Sequence, residues 1–216
     1  MSKKNSLVIL SGGMDSVTVL YEYKDSIAMA ISFDYGSKHN QKELFLAKQH
    51  CKNLGIKHDI VSLPFINDLF NSALLRSGCE IPDGHYEDES MKQTVVPFRN
   101  GIMLAIATGV AESNDLGKIM LGNHAGDHAI YPDCRHEFIV NMNAAIKAGT
   151  YNNVEIHAPY TSIDKRAIAL IGKELNIDYT QTWTCYKGQT VHCGTCGSCV
   201  ERKEALAGFD FTEYLK

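Results

Sequence analysis

Apolar residues recur along this chain in two rhythms. Ser6-Leu7-Val8-Ile9-Leu10 is an unbroken short run, which predicts a buried strand, and it stops at Ser11-Gly12-Gly13. From Asp15 to Tyr23 the apolar positions Val17, Leu20 and Tyr21 fall at helical spacing. The pattern then repeats. Residues 27–33 read as a strand ending at Asp34-Tyr35-Gly36, and Leu44, Ala47, Cys51 and Leu54 mark a helix over 41–54 closed by Gly55. A third strand over 58–63 is halted by Pro64. The stretch 65–94, with Gly78, Pro82, Gly84 and the acidic run Glu87-Asp88-Glu89, predicts a long loop with a helical turn near 67–74. Pro97 opens a helix over 100–113, and 118–121 is a short strand. A loop over 122–132, a helix over 133–148 and a strand over 154–157 follow. Thr161 or Ser162 is expected to cap a helix over 163–175, and a last short helix lies near 199–206. Strands alternating with helices predict an α/β fold of right-handed βαβ units around a parallel sheet covered on both faces. Composition shifts at about Gln181, so the expected organisation is an α/β domain over 1–180 and a small C-terminal segment over 181–216.

Composition narrows the function classes. Of 216 residues, 44% are hydrophobic and 21% charged, which suits a globular protein with a real core. The net charge of −4 and the lack of a basic stripe argue against a protein that grips nucleic acid. No stretch approaches the roughly 18 apolar residues of a membrane span. The apolar run over 7–10, after Met1-Ser2-Lys3-Lys4-Asn5, is too short for a secretory leader, so a cytoplasmic location is expected.

Seven cysteines, an odd number, fit no secreted disulfide framework. Cys185, Cys193, Cys196 and Cys199 crowd the tail in a C-x7-C-x2-C-x2-C pattern. Four thiolates with Cys-x-x-Cys turns suit a tetrahedral zinc ion, and a closed shell of four makes the site structural. An iron–sulfur cluster uses the same ligands and is the rival. Such a site would fold a tail too poor in apolar residues to fold alone. His192 is expected at the surface rather than as a ligand, Cys51 in the core and Cys79 in a loop.

Chemistry first gathers at the glycine turn. After a parallel strand, Gly12 and Gly13 let the backbone turn tightly, and the following helix offers free N–H groups and a positive dipole end. Ser11 and Ser16 add hydroxyls. Asp15 is out of place beside phosphate unless a cation such as Mg²⁺ bridges it. No Lys follows Gly13, which excludes a Walker A loop, and the spacing of a dinucleotide fingerprint is absent. Two helix starts also present side chains: Val96-Pro97-Phe98-Arg99-Asn100 and Tyr131-Pro132-Asp133-Cys134-Arg135. Ordinary capping explains each of them equally well.

Ser11-Gly12-Gly13-Met14-Asp15-Ser16 resembles the signature of the PP-loop ATP pyrophosphatases. With Phe33-Asp34-Tyr35-Gly36, His39, Val96 to Asn100, Tyr131 to Arg135, Lys165, the cysteine tail from Trp183 and Arg202, the chain is similar to the QueC family of queuosine-precursor biosynthesis. The matched pieces span nearly the whole chain, whereas 65–95 and 122–130 match no pattern.

That resemblance implies a Rossmann-like, adenine nucleotide α-hydrolase-like three-layer sandwich with a zinc-binding C-terminal segment. It implies a C–N-forming ligase that converts 7-carboxy-7-deazaguanine and ammonia to 7-cyano-7-deazaguanine through an amide, with two rounds of ATP activation. ATP is expected on Leu10, Ser11, Gly12, Gly13, Met14, Asp15, Ser16 and Val17, with Asp15 supporting Mg²⁺. Arg99, Arg135 and Lys165 are the cations expected to face phosphate or substrate carboxylate, although Lys165 is equally placed to be a plain exposed lysine. Asp133 is expected to accept from the guanine-like edge. The resemblance also suggests a homodimer. No glutaminase triad is evident, so free ammonia is the expected nitrogen source.

Three other readings remain open, one of them a family member redirected to a protein or DNA acceptor. A PP-loop enzyme adenylating a tRNA base would carry a basic surface and an added RNA-binding part. A zinc-ribbon protein that only senses nucleotide would keep partner binding, without turnover, when Asp15 is replaced.

Overall fold

A computed structural model describes residues 4–215. The start Met1-Ser2-Lys3, on which part of the leader reading rests, lies outside the described residues. Five strands, β1 (Ser6–Ile9), β2 (Ile27–Asp34), β3 (Lys57–Ser62), β4 (Lys118–Met120) and β5 (Glu155–His157), pair in the order β3-β2-β1-β4-β5, all parallel. The chain runs outward from β1 to β3, then crosses back to build β4 and β5 on the other side. The reversal falls between β1 and β4, and in open sheets of this kind a crevice opens there beyond the strand C-termini.

The faces of β1 explain its unbroken apolar run. Leu7 and Ile9 pack with β2, β4, α4 (Arg99–Ser113) and α5 (His136–Gly149). Val8 and Leu10 pack on the opposite face against α1 (Met14–Glu22), α2 (Asn40–Leu54) and α6 (Lys165–Glu174). A strand covered on both sides needs no polar alternation. Leu7, Val8 and Leu10 are fully buried, and burying each such side chain contributes about 1.5–3 kcal/mol. Helix, sheet and helix make three layers. Among the described residues no helix is long and apolar enough to cross a membrane.

Three local expectations need correction. The stretch 65–94 is not a plain loop. It holds α3 (Pro64–Leu69) and a 3-10 turn over Glu89–Thr94, and its Leu74, Leu75 and Met91 are fully buried. These residues are pinned singly into the core, so no period shows in the sequence. The helix expected from 133 begins at His136, because Pro132–Cys134 forms its own 3-10 turn. The helix expected from 163 begins at Lys165. Its cap is Asp164, whose Oδ1 accepts the Ala167 N–H at 2.7 Å, rather than Thr161 or Ser162.

The tail folds back onto the sheet layers. Its helix α7 (Gly197–Ala205) starts after Cys196, carries Cys199 and packs on α6. Arg202 on α7 is fully buried and spends its donors on the Tyr179 carbonyl and on the hydroxyls of Thr182, Thr184 and Thr212. A buried guanidinium is tolerated only when its donors are matched in this way.

Candidate functional site

The crevice at the strand reversal is a cleft of about 1130 Å³ counting its open mouth. Its floor is the glycine turn. Gly12 has φ +95°, and a Cβ there would lie 2.2 Å from the Glu43 carbonyl oxygen, so only glycine lets the turn pass under α2. Ser11 and Ser16 lock the turn. The Ser11 N–H donates to Ser16 Oγ at 3.2 Å, the Gly13 N–H donates to Ser11 Oγ at 3.1 Å, and the two hydroxyls are 3.0 Å apart. No side chain caps the start of α1, so its N–H groups face the cleft as an anion site. Leu10, Met14 and Val17 are buried behind the turn, and Leu10 and Met14 also line the cleft.

One end of the cleft is a buried ionic network. Lys165 Nζ lies 2.7 Å from Glu201 Oε2 and 3.2 Å from Asp15 Oδ2. Lys165 is buried, which removes the reading of a plain exposed lysine. Burial works against its charge, but the carboxylates of Asp15, Glu201 and Asp127 outweigh it and hold Lys165 above the ordinary lysine range. The other oxygen of Asp15, Oδ1, is buried with no hydrogen-bond partner. Asp127 accepts the Tyr86 hydroxyl at 2.9 Å and the His124 N–H at 3.1 Å. Burial raises the Glu201 carboxyl against the pull of Lys165.

The other end is built by Arg99, Tyr35, His39 and Glu43, all lining the cleft. Arg99 donates to the Tyr35 hydroxyl at 3.2 Å and lies 5.6 Å from its ring centre. Tyr86, Tyr131 and Tyr186 form an aromatic wall between the two ends, with the Tyr131 and Tyr186 hydroxyls 3.3 Å apart.

Two expected site residues stand elsewhere. Asp133 does not line the cleft. Its Oδ2 accepts the Asn100 N–H at 2.8 Å, so it fixes the start of α4 beside Arg99 rather than facing a ligand edge. Arg135 is exposed, outside the cleft lining, and donates to the His128 carbonyl at 3.1 Å. The cleft residues that sequence reasoning missed are Glu43, Tyr86, Asp127 and Tyr186, with Glu201 behind Lys165. Tyr86 and Asp127 come from the two unmatched segments. The available signal for Glu201 was its place two residues after Cys199 on the short helix expected near 199–206.

The four tail cysteines converge. The sulfurs of Cys185, Cys193, Cys196 and Cys199 all lie within 4.8 Å of one another and are buried. Those of Cys193 and Cys199 are 3.9 Å apart. A tetrahedral zinc site with bonds of about 2.3 Å places its sulfurs about 3.8 Å apart, so the set fits. The N–H groups of Thr195 and Cys196 point at Cys193 Sγ at 3.4 and 3.3 Å, as thiolate acceptors require. Hydrogen bonds from the Cys196 and Cys199 side chains hold the Cys185 thiol far below its ordinary range. His192 is buried rather than on the surface. Its ring centre lies 4.3 Å from that of Trp183, and its Nε2 accepts the Thr184 N–H, which leaves it outside the sulfur set. The cysteine segment also touches the glycine turn, where the Trp183 N–H donates to the Gly12 carbonyl at 3.0 Å.

Comparison with known proteins covers this whole arrangement. A family model described as Queuosine biosynthesis protein QueC matches residues 5–210. A protein named 7-cyano-7-deazaguanine synthase from Porphyromonas gingivalis is 60% identical over 215 residues, 98% of each chain. One of the same name from Desulfotalea psychrophila is 54% identical over 216 residues, covering 98% of this chain and 99% of that one. Among solved structures, NMN synthetase from Francisella tularensis superposes with a TM-score of 0.53 at 12% identity, over 88% of this chain and 70% of that one, which is a likeness of fold alone.

Proposed function

This chain belongs to the QueC family of queuosine biosynthesis proteins, and on that premise we propose that it is a 7-cyano-7-deazaguanine synthase. It makes a C–N bond at the cost of ATP, joining ammonia to 7-carboxy-7-deazaguanine and carrying the resulting amide on to the nitrile. The observation that carries the reading is that the match runs over residues 5–210 and so includes the glycine turn, both ends of the cleft and all four tail cysteines.

The cleft residues supply what this chemistry needs. Carboxylate oxygen is a poor leaving group, and bonding it to phosphorus makes it a good one. The turn Ser11 to Ser16 and the start of α1 hold the departing phosphates through backbone N–H groups. Asp15 Oδ1, buried and unpartnered, would hold Mg²⁺, which when bound neutralises phosphate charge. Lys165, anchored by Asp15 and Glu201, keeps a fixed positive charge at one end. Arg99 offers its planar fork to the substrate carboxylate at the other. Tyr86, Tyr131 and Tyr186 line the cleft with aromatic rings, Tyr86 and Tyr131 tilted by 40° to each other, against which a purine-like ring would pack. In the second round the amide oxygen is activated in turn, and its departure leaves the nitrile.

Cys185, Cys193, Cys196 and Cys199 would hold zinc in a closed shell, which when bound staples the tail. The role is structural, because four thiolates leave no open position for substrate. Through Trp183 the same tail braces the Gly12 turn.

Mass spectrometry of the purified protein with MgATP, ammonium and 7-carboxy-7-deazaguanine tests the reading. The expected product is the nitrile, formed with ATP consumption. Folded, metal-loaded protein that binds ATP and yields no nitrile would contradict it and direct the search to tRNA acceptors.

A further inference from the structure

The reaction proposed above uses one substrate that is a cation in neutral water, ammonium, and nothing described so far receives it. Among the described residues three carboxyl groups line the cleft: Asp15, Asp127 and Glu43. Asp15 pairs with Lys165, and Asp127 accepts from Tyr86 and His124. Glu43 is uncommitted. Its ionisable neighbour is His39 at the N-cap of the same helix, with Nε2 3.5 Å from Glu43 Oε2. His39 is 3% exposed, and its other nitrogen, Nδ1, is buried without any hydrogen-bond partner. Both residues line the cleft. The Glu43 Oε1 lies 3.8 Å from where a Cβ on Gly13 would stand, so this carboxyl hangs over the phosphate turn.

That position is costly for a bare carboxylate. A negative charge beside a phosphate site repels the ligand unless it carries a proton or a cation. The groups facing the pair are Arg99 from α4, Tyr35 from the loop after β2, and Tyr186, ring and backbone, with Cys185 from the tail. Arg99 is already engaged with Tyr35, which leaves Glu43 free to take a small cation from solvent.

We propose that Glu43 and His39 form the ammonium site of the cleft and take the two protons that the nitrogen must lose in forming the amide. This rests on the synthase reading above. The ionised form of Glu43 takes one proton from ammonium. The freed lone pair forms the C–N bond at the activated acyl carbon, and the C–O bond to the phosphorus-bearing group breaks with its electron pair going to that oxygen. The attached nitrogen, now cationic, passes its second surplus proton to the His39 imidazole, and a neutral amide remains. Both groups suit these tasks. Burial pushes the Glu43 carboxyl up to about 8 against the pull of Arg99, and burial together with Arg99 holds the His39 imidazole down at about 4, neutral and able to accept. Glu43 thus lies near the working pH, where a base works best, whereas the N-protonated amide is acidic enough to give its proton even to an imidazole of low affinity.

The test compares two amines in wild type and Glu43→Gln: ammonium chloride, which must be deprotonated, and hydroxylamine, which is neutral at pH 7. Product is followed as amide or hydroxamate of 7-carboxy-7-deazaguanine with MgATP. The expected result is a loss of about 100-fold in kcat/KM for ammonium, with hydroxamate formation and the KM for ATP within a few-fold of wild type. His39→Asn should show the same selectivity with a smaller loss. Equal losses with both amines, or a loss carried by the KM for ATP, would overturn the proposal, the second by placing Glu43 on the nucleotide. Unchanged ammonium kinetics would overturn it too. A cooperative melt at pH 5 close to that of wild type and unchanged ATP binding serve as the folding control for both variants. Wild type that forms neither product would instead overturn the synthase reading, and this inference with it.

Discussion

Glu43 and Lys165 are both ionisable, both line one cleft, and are perturbed for opposite reasons. Glu43 is raised to about 8 by burial with too little compensation. Its proton is bound more tightly in the fold than in the unfolded chain, so its contribution to stability is full below the unfolded carboxyl range and is lost as pH rises through about 8. Melting temperature without ligands should therefore fall more steeply between pH 5 and pH 8.5 in wild type than in Glu43→Gln. Parallel slopes would contradict the assignment. Lys165 is raised because two carboxylates surround it, and removing it leaves them facing each other. Lys165→Met should destabilise the fold by about 3–5 kcal/mol, as expected for breaking a buried pair. Adding Glu201→Gln should recover part of that loss in denaturant unfolding, because one uncompensated charge then disappears. Asp15→Asn keeps the shape of the turn but weakens its hold on a cation, so turnover should fall by about 100-fold, and because Lys165 keeps Glu201 as a partner the melting temperature should fall by less than in Lys165→Met.

At the scale of elements, the cysteine segment and the glycine turn behave as one unit. The Trp183 N–H reaches the Gly12 carbonyl, and α7 carries Glu201 to Lys165. Stripping the metal with a chelator, or Cys196→Ser, should thus lower ATP affinity as well as melting temperature. Calorimetry of ATP binding well below the melting point checks this, and unaltered affinity in the metal-free protein would separate the two elements. Arg202→Met should cost about 3 kcal/mol, since it strands four acceptors that the guanidinium now satisfies. These elements were legible to unequal degrees. The strand, glycine turn and helix at residues 6–22 are local, and hydrophobic spacing reveals them. The four cysteines are close in sequence and carry their own ligand chemistry. Lys165 and Glu201 meet across 36 positions, so neither suggests the other. Tyr86 and Asp127 sit in irregular segments whose shape is dictated by contacts to distant residues. Asp133 and Arg135 flank a helix start in a way that suits ligand binding and capping alike, and only packing distinguished the two.

The whole molecule sets an acidic, parallel-sheet body around a cleft with a positive charge at each end, Lys165 and Arg99, and an aromatic wall between. Such a cleft suits an anionic, flat, purine-like acid better than a nucleic-acid chain, for which the net charge of −4 offers no steering. The family's two-round chemistry makes a quantitative demand on this architecture. Both carboxylate oxygens of the substrate must leave bonded to phosphorus, one in each round. The measurement that tests this most directly uses 7-carboxy-7-deazaguanine labelled with ¹⁸O in both carboxylate positions, incubated with the protein, MgATP and ammonium. The account predicts unlabelled nitrile, both ¹⁸O atoms in phosphorus-containing products, and two ATP consumed per nitrile formed. Label released as water, or a single ATP consumed per nitrile, would contradict it.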